Sequence, residues 1–380
     1  MAEAFKDIFN QSFLERFANT LLYIVPHIES KVFIRQVMDS DWEARAYKQR
    51  VNHIATVLKQ YLPADYKKAV SLIIKLLKKA EKNLPDFSII DDKNFQLLDL
   101  EYGAILDSYI GQYGLHDYET SIKAIEILTQ FTSCEFCVRP FIIQYPDKMM
   151  NQMLVWSRHK HWGVRRLASE GCRPRLPWGV SLPELKANPK PIIPILENLK
   201  NDPARFVRLS VANNLNDIAK DNPDTVLTLA KKWHGQSTEI DWVIKHGCRT
   251  LLKQGSPKIM KLLGFDAGAK NIQVSAFKVN TPKVKIGDYL AFTFTLENCN
   301  TQKRKIRLEY AIYYQKANGT LARKVHKISE KEYPEDSIAK ISRKHSFKEV
   351  TTRKLHLGQH QVAVIINGKE MGKLDFKLIK

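Results

Sequence analysis

A segment near the middle of the chain places an acid, several cations and an aromatic residue close together. Residues 161–179 read HWGVRRLASEGCRPRLPWG, with Glu170 among four arginines and Trp178 after a proline. A second acid, Asp217, lies in NNLNDIAK. Carboxylates can stabilise a cationic base or a sugar with oxocarbenium character, and can orient an attacking water. Trp178 can stack on a base or deoxyribose, or alternatively pack over the core.

The elements that must position these residues are repeated helices. Three helical segments align on Val164, Val207 and Val243, at spacings of 43 and 36 residues. Periods near 40 residues are typical of HEAT-type arrays, in which stacked helix pairs line a concave surface. Glu170 and Asp217 fall on equivalent faces, opposite the apolar stripe. Stacking is therefore predicted to bring the two acids onto one wall, flanked by Arg166, Lys245 and Arg249.

These charges also have a simpler interpretation. Arg166 and Glu170 are four residues apart and could form an ordinary ion pair on a solvated helix face, which needs no ligand. On a wall that binds a polyanion, however, each acid repels phosphate and lowers affinity. Acids in such a place indicate a role that compensates for this repulsion, such as charge stabilisation or activation of water.

Composition and charge favour a nucleic-acid partner. The chain has 380 residues, 44% of them hydrophobic, and a formal net charge of +20. Such an excess of cations is typical of proteins that bind polyanions, although it also serves solubility. Five scattered cysteines do not form a disulfide framework and fit a reducing compartment. No signal sequence or transmembrane segment is evident, so we expect a cytoplasmic protein without a membrane partner.

The periodicity of the apolar residues changes after Gly264. Up to residue 266 they recur at intervals of three and four, as in Tyr66–Leu84 and Tyr118–Phe131, which predicts helices. Beyond residue 270, DYLAFTFTL and KIRLEYAI alternate and predict half-buried strands, and two Asn-Gly pairs predict hairpin turns. We predict a multidomain α + β fold: a helical-repeat catalytic domain over residues 1–266 and an immunoglobulin-like β-sandwich over residues 270–380.

The predicted sandwich is the more basic part. Residues 271–380 carry 22 lysines and arginines against 10 acids, which is +12 of the total charge of +20. Lys303 and Arg304, in QKRKIR, are placed near a turn, where they can reach phosphates. We expect this domain to help clamp DNA opposite the helical cleft.

Two other patterns favour structural roles. Cys134 and Cys137, in CEFC, have the spacing of a zinc or redox site, but no second pair follows, and we interpret them as helix packing without a metal. The basic helix from Tyr66 has an apolar stripe that suits packing in the array better than a membrane surface. No phosphate-binding loop, dinucleotide motif or nucleophile elbow is evident, so no cofactor is predicted.

Over its whole length the sequence resembles the AlkC branch of the HEAT-like-repeat alkylpurine DNA glycosylases, relatives of the AlkD branch. The resemblance rests on WSRHKHWGVRRLASEGCRPRLPW, on NDPARFVRLSVANNLNDIAK, on the helical array and on the appended sandwich. It implies excision of N3-methylated bases, chiefly 3-methyladenine and also 3-methylcytosine, from duplex DNA by hydrolysis of the N-glycosidic bond, without metal or cofactor.

The resemblance also implies roles for particular residues. Asp217 corresponds to the catalytic acid, with Glu170 and Glu135 as further acids shaping a negative pocket, and Trp178 as the aromatic residue. The predicted DNA contacts are Arg158, His159, Lys160, Arg166, Lys245, Arg249, Lys303 and Arg304. We expect a monomer that binds alkylated double-stranded DNA. The alternative is a non-catalytic HEAT-repeat scaffold that binds nucleic acid or a protein through the same wall.

Overall fold

The structure, a computed structural model, describes residues 5–81, 100–266, 269–349 and 354–380. Helices occupy the chain before residue 266 and strands follow, so the predicted fold class, a helical repeat region followed by a β-sandwich, is confirmed. The helices are α1 (Gln11–Leu21), α2 (Ser30–Val37), α3 (Tyr47–Lys59), α4 (Tyr66–Glu81), α5 (Leu100–Tyr113), α6 (Tyr118–Leu128), α7 (Val138–Gln144), α8 (Pro146–Trp156), α9 (Trp162–Glu170), α10 (Pro183–Ala187), α11 (Ile193–Leu199), α12 (Arg205–Asp221), α13 (Pro223–Trp233), α14 (Thr238–Gly247), α15 (Arg249–Lys253) and α16 (Pro257–Leu262). The strands are β1 (Ile272–Val279), β2 (Lys283–Lys285), β3 (Tyr289–Asn298), β4 (Arg304–Gln315), β5 (Leu321–Tyr333), β6 (Ser337–Ser346), β7 (Gly358–Ile366) and β8 (Lys369–Ile379).

The chain forms two compact units. One comprises Met1–Asn222 and Gly235–Gly247, and the other comprises Pro223–His234 and Cys248–Lys380. The second unit thus contains α13, α15 and α16 together with the sandwich. The division into domains at residues 266 and 270 stays a prediction.

The apolar stripes predicted for α9 and α12 are buried. Val164, Ala168 and Cys172 have no exposed surface, and Val207, Val211 and Leu215 are at most 2% exposed. Each set recurs every four residues: Val207, Val211 and Leu215 follow one side of α12, and Val164 and Ala168 follow one side of α9, with Cys172 just beyond its end. Because these stripes pack into the core of the first unit, they set the rotation of α9 and α12 about their axes. That rotation decides which polar side chains of the two helices face each other.

The third predicted repeat helix is interrupted. The alignment treats the segment from Val243 as one helix that carries both Lys245 and Arg249, but α14 ends at Gly247 and Cys248 precedes a separate helix, α15. The prediction that Lys245 and Arg249 share one helix face is therefore wrong. Gly247 packs against α12: a Cβ added there would lie 2.9 Å from Cβ of Leu215.

The helix predicted from Tyr66 is confirmed as α4 as far as Glu81, and residues 82–84 of that prediction lie outside the described residues. Val70 and Ile73 of this helix are buried, as expected for a packed stripe. Among the described residues, no helix combines the length and the apolar character that crossing a membrane requires.

The sandwich consists of two sheets. One has the strand order β1-β3-β6 and the other β2-β8-β7-β4-β5, and the pairing is antiparallel except between β2 and β8. Leu290, Phe292, Phe294 and Leu296 of β3 are buried, which confirms the predicted alternation. In β4 the prediction of a half-buried strand is wrong, because residues 306–312 are buried on both faces.

The Asn-Gly turn at the end of β7 links the sandwich to the helices of the second unit. Asn367 and Gly368 both have positive φ, as the predicted tight hairpin requires. Asn367 Nδ2 donates to the carbonyl of Asp266 at 3.0 Å, and a Cβ on Gly368 would lie 2.5 Å from Cα of Gly255. This close approach accounts for a glycine at both positions.

Candidate active site

The two acids predicted to share a wall are joined by an arginine. Arg173 donates from Nη1 to Glu170 Oε1 at 2.5 Å and from Nε to Asp217 Oδ2 at 2.9 Å. Glu170 is the last residue of α9, Asp217 lies on α12, and Arg173 is in the loop after α9. The predicted proximity of the acids is thus present in the structure, and their side chains are 8% and 2% exposed.

Hydrogen bonds between α9 and α12 fix this arrangement. Ser210 Oγ on α12 donates to Glu170 Oε2 at 2.6 Å, and Asn214 Nδ2 donates to the carbonyl of Ser169 at 2.8 Å. Lys220 donates to Asp217 Oδ1 at 3.0 Å. Both oxygens of each carboxylate therefore have a hydrogen-bond donor, which offsets the cost of burying these polar groups.

Glu135 forms a second ion pair nearby. It lies in the turn between α6 and α7, and its Oε2 is 3.4 Å from Nη1 of Arg166, which also contacts Ser133. Arg166 further lies 4.5 Å above the ring of Phe206. The alternative pairing of Arg166 with Glu170 on one helix face is wrong, because Arg166 reaches across to another turn instead.

The electrostatics of this group, which we call the acid–arginine network, are balanced. Its formal charges cancel, since three acids face three cations: Glu135, Glu170, Asp217, Arg166, Arg173 and Lys220. Burial opposes ionisation of Glu170, but the charges of Arg166 and Arg173 and the hydrogen bond from Ser210 outweigh it and hold its pKa below the ordinary value. The predicted excess of negative charge is therefore not present in these residues taken together.

The loop that carries Arg173 and Trp178 is held at both ends by Arg139 of α7. Its Nη1 donates to the carbonyls of Gly171 at 2.9 Å and Arg173 at 3.0 Å, and its Nε donates to the carbonyl of Val180. Arg139 is fully buried, and burial lowers its pKa to about 10. A Cβ on Gly171 would lie 2.7 Å from Cγ2 of Val138, so glycine permits this approach.

A further pair attaches the same loop to α12. Arg175 donates to both carboxylate oxygens of Asp221, at 2.8 and 2.5 Å. Asp217 and Asp221 are one helical turn apart, so the two loop arginines hold successive acids of one helix. Together with Arg166 and Arg165, which pairs with Asp202, this explains the four arginines of the segment.

Trp178 is presented outward in a strained conformation. Its side chain is 70% exposed and its φ is +62°, a region that a bulky residue rarely adopts. Phe5 and Tyr47 lie near it, with ring centroids at 6.3 and 6.5 Å, and Lys48 Nζ donates to its carbonyl oxygen. The alternative of a tryptophan packed over the core is wrong. Backbone strain of this kind is concentrated at functional sites.

The predicted DNA contacts before α9 differ in accessibility. Arg158 and Lys160 are exposed, whereas His159 accepts a hydrogen bond from the backbone of His161 through Nδ1. His161 caps α9, since its Nδ1 accepts from the amide of Gly163 at 3.1 Å. One of the free amides at the start of α9 is thus already bonded to a side chain.

The remaining predicted contacts are distributed between the two units. Lys245 is exposed on α14 of the first unit, and Arg249 begins α15 of the second. In the sandwich, Lys303 is exposed and pairs with Glu332 at 3.0 Å, while Arg304 is half-buried at the start of β4. Their contacts with DNA stay predictions.

Several residues of the site were not anticipated. Arg173 was part of the quoted segment, but its bridging position depends on where α9 ends, which the periodicity does not fix. Ser210 and Lys220 gave no signal beyond their spacing of seven and three residues from Asp217. Arg139 could have been noticed only as an arginine within an apolar helix, VRPFIIQ.

Comparison with known proteins defines the class and then the family. A family model described as the C-terminal Ig-like domain of the uncharacterised protein YhaZ matches residues 273–380. The uncharacterized protein YhaZ of Bacillus subtilis (strain 168) is 38% identical over 373 residues, covering 98% of this chain and 99% of the relative. The chain and this relative therefore match over almost their whole lengths.

The structural comparison supplies the family. The alkylpurine DNA glycosylase AlkC of Pseudomonas fluorescens, bound to DNA containing an abasic site analog, matches with a TM-score of 0.90 and 31% identity, covering 100% of both chains. The chain belongs to the AlkC family of alkylpurine DNA glycosylases, which confirms the resemblance seen in the sequence.

Proposed function

We propose that this protein is a DNA repair glycosylase that hydrolyses the N-glycosidic bond of cationic N3-methylated bases in duplex DNA. The observation that carries the proposal is the acid–arginine network, in which Arg173 joins Glu170 and Asp217 beside the loop of the exposed Trp178. The full-length similarity to a DNA-bound alkylpurine DNA glycosylase supports the same reaction class. The substrates we expect are 3-methyladenine and 3-methylcytosine.

The proposed step is a hydrolysis. The bond from C1′ to the base nitrogen breaks, its electron pair neutralises the cationic base, and positive charge develops on the sugar. Asp217, with Glu170 and Glu135, stabilises that charge, and a water adds to C1′ and loses its proton to Asp217. Because a methylated base leaves as a neutral molecule, no strong general acid is needed.

Selectivity is proposed to come from local contacts, because the network is neutral as a whole. The exposed ring of Trp178, with Tyr47 and Phe5, offers an aromatic surface for a cationic base. Glu135 is the most accessible acid of the network, with a side chain that is 14% exposed. A cationic base between this carboxylate and the rings is favoured over neutral adenine.

We propose different DNA contacts for the two parts of the chain. Arg158 and Lys160, exposed before α9, bind the phosphate backbone, and Lys245, Arg249, Lys303, Arg304 and His159 are further candidates. Arg166 is reassigned from a phosphate contact to a partner of Glu135. Residues 270–380 act as a DNA-binding accessory domain of a monomeric cytoplasmic protein.

The test is the release of free base from duplex DNA treated with a methylating agent that produces N3-methyl adducts. The wild type, Asp217→Asn and Trp178→Ala are compared under single-turnover conditions. Because Trp178 is exposed, its variant tests the site without removing a buried ion pair. We expect 3-methyladenine release by the wild type, and slow release by both variants with DNA binding retained.

The same experiment distinguishes the glycosylase from the alternative, a non-catalytic HEAT-repeat scaffold. An inert DNA clamp gains affinity when Asp217 becomes neutral, because the acid repels phosphate. Absence of release by the wild type, together with tighter DNA binding by Asp217→Asn, would refute the glycosylase. Thermal unfolding of each variant, followed by circular dichroism, separates loss of activity from loss of folding.

A further inference from the structure

A buried group of two thiols and a carboxylate lies beneath the turn that carries Glu135. The Sγ atoms of Cys134 and Cys137 and a carboxylate oxygen of Asp107 are all within 4.8 Å of one another. The three residues are 0%, 3% and 5% exposed. Among the described residues, this is the group whose side chains have both the donor types and the spacing of metal ligands.

The packing of α5 creates this group. Asp107 and Gly111 are one turn apart on α5, so they face the same neighbour. A Cβ on Gly111 would lie 3.2 Å from Cβ of Cys137, so the absence of a side chain lets the CEFC turn approach the helix. Without that approach Cys137 would not reach the carboxylate of Asp107.

Asp107 is a buried carboxylate whose hydrogen-bond donors come from the CEFC turn: the thiols of Cys134 and Cys137 and the backbone amide of Cys137. Its Oδ1 is buried and accepts no hydrogen bond in the structure. In contrast, every carboxylate oxygen of Glu170 and Asp217 has a donor. A buried acid that contacts two thiols and keeps one oxygen without a donor has the arrangement of a ligand set for a cation.

We propose that Asp107, Cys134 and Cys137 form a site for a thiophilic divalent cation, with zinc as the expected ion; the carboxylate that the fold adds to the two thiols replaces the interpretation of the cysteines as packing alone. Two sulfurs and one oxygen form the mixed donor set that zinc accepts, with a water completing four-coordination in sites of three protein ligands. On binding, both S–H bonds break, two metal–sulfur bonds form, and the thiol protons pass to solvent. No electrons are exchanged.

The proposed metal site lies in the turn that carries Glu135, so a bound ion would affect the position of that acid. Cys134 and Cys137 flank Glu135, so an ion bound by both would fix the turn from which Glu135 reaches Arg166. The role assigned here is to hold that turn, and it does not place the ion in the base-release reaction. Metal binding can therefore be measured whether or not the protein is a glycosylase.

The experiment is a cobalt titration of the reduced, full-length protein without oxygen. Cobalt alone is the probe, because tetrahedral thiolate coordination gives charge-transfer and strong visible absorption, and zinc is then added to displace it. Four proteins are compared: wild type, Cys134→Ser, Asp107→Asn and Cys248→Ser. Cys248 is a matched control, a buried thiol outside the proposed site.

We expect wild type and Cys248→Ser to bind about one cobalt ion per chain and to exchange it for zinc. Cys134→Ser should lose the thiolate absorption pattern, and Asp107→Asn should bind at least about tenfold more weakly. The Asn variant retains side-chain volume, so it keeps the test valid if the serine variant does not fold. Absence of cobalt absorption in wild type, or equal cobalt affinity of wild type and Asp107→Asn across the titration, would overturn the site.

Discussion

An arginine between two carboxylates occurs in both parts of the molecule. In the helical region Arg173 joins Glu170 and Asp217, and in the sandwich Arg307 joins Glu309 at 2.7 Å and Glu330 at 3.1 Å. All of these side chains are at most 8% exposed. Burial and charge pairing alone therefore do not distinguish a candidate active site from a structural ion pair.

The difference lies in what holds each arginine. Arg307 and Glu330 are direct partners in the ladder between β4 and β5, and Glu309 is two residues along β4 on the same face. Regular strands thus build the sandwich network locally. Arg173 instead lies in an irregular loop and reaches two helices of different repeats, and the same loop carries a tryptophan with a left-handed backbone. Loops held on a rigid scaffold are where binding residues are concentrated.

The largest expected effect is common to both networks. Arg173→Met and Arg307→Met each leave two buried carboxylates without their shared cation, so each should lower the free energy of unfolding by about 3–5 kcal/mol. Urea denaturation measures this directly. If Arg173→Met is as stable as wild type, the paired geometry of the helical network does not contribute to stability, and the two networks differ more than their contacts suggest.

A second comparison separates the networks by activity. Asp217→Asn should slow base release on the order of 10²–10³-fold, because it removes a charge that stabilises the developing sugar cation. Glu309→Gln, the matched change in the sandwich, should leave single-turnover release unchanged once the protein is folded. Equal losses of activity in the two variants would indicate a stability effect instead of a catalytic one.

Trp178 allows a smaller and cleaner test. Trp178→Ala should reduce base release about tenfold through loss of stacking, whereas Trp178→Phe should retain most of it. Trp178→Gly removes the left-handed strain and should stabilise the fold by about 1 kcal/mol while still impairing release. A glycine variant that releases base at the wild-type rate would contradict the proposed stacking role.

The smallest expected effect is on the pH dependence of stability. The pKa of Glu170 is held below its ordinary value of 4.5, so its ionised form contributes stability that is fully present above that pH. This contribution is lost as the pH falls through the lowered pKa of the folded state. Urea midpoints measured from pH 7 downward should therefore fall more steeply for wild type than for Glu170→Gln. Parallel curves would show that Glu170 is not stabilised as an anion.

The sequence predicted those parts of the fold that depend on regular periodicity. The four-residue recurrence of Val164, Ala168 and Cys172 identified a buried helix face, and the alternation in β3 identified a strand. The same reasoning failed where burial depends on another element: β4 alternates in sequence, yet it is covered on both faces. The break at Cys248 was missed because an apolar spacing continues across it.

The sequence predicted which acids form the site, but not which side chains pair with them. Stacking of equivalent helix faces correctly placed Glu170 near Asp217, because that argument needs only the repeat length. The partner of each acid depends on loop conformation, and so Arg173, Ser210 and the pairing of Arg166 with Glu135 could not be derived from spacing. The roles assigned by resemblance stay predictions until base release is measured.

The hydrogen bonds of Arg139 to both ends of the loop at residues 171–180 restrict how the length of that loop can change. One guanidinium spans the carbonyls of Gly171 and Val180, so the number of residues between them is fixed by the reach of a single side chain. An insertion there would detach one end. The turn at residues 316–320 is bounded only by β4 and β5 and can lengthen outward. Related chains should therefore vary in length at the turn of residues 316–320 and should keep a constant length in the loop of residues 171–180.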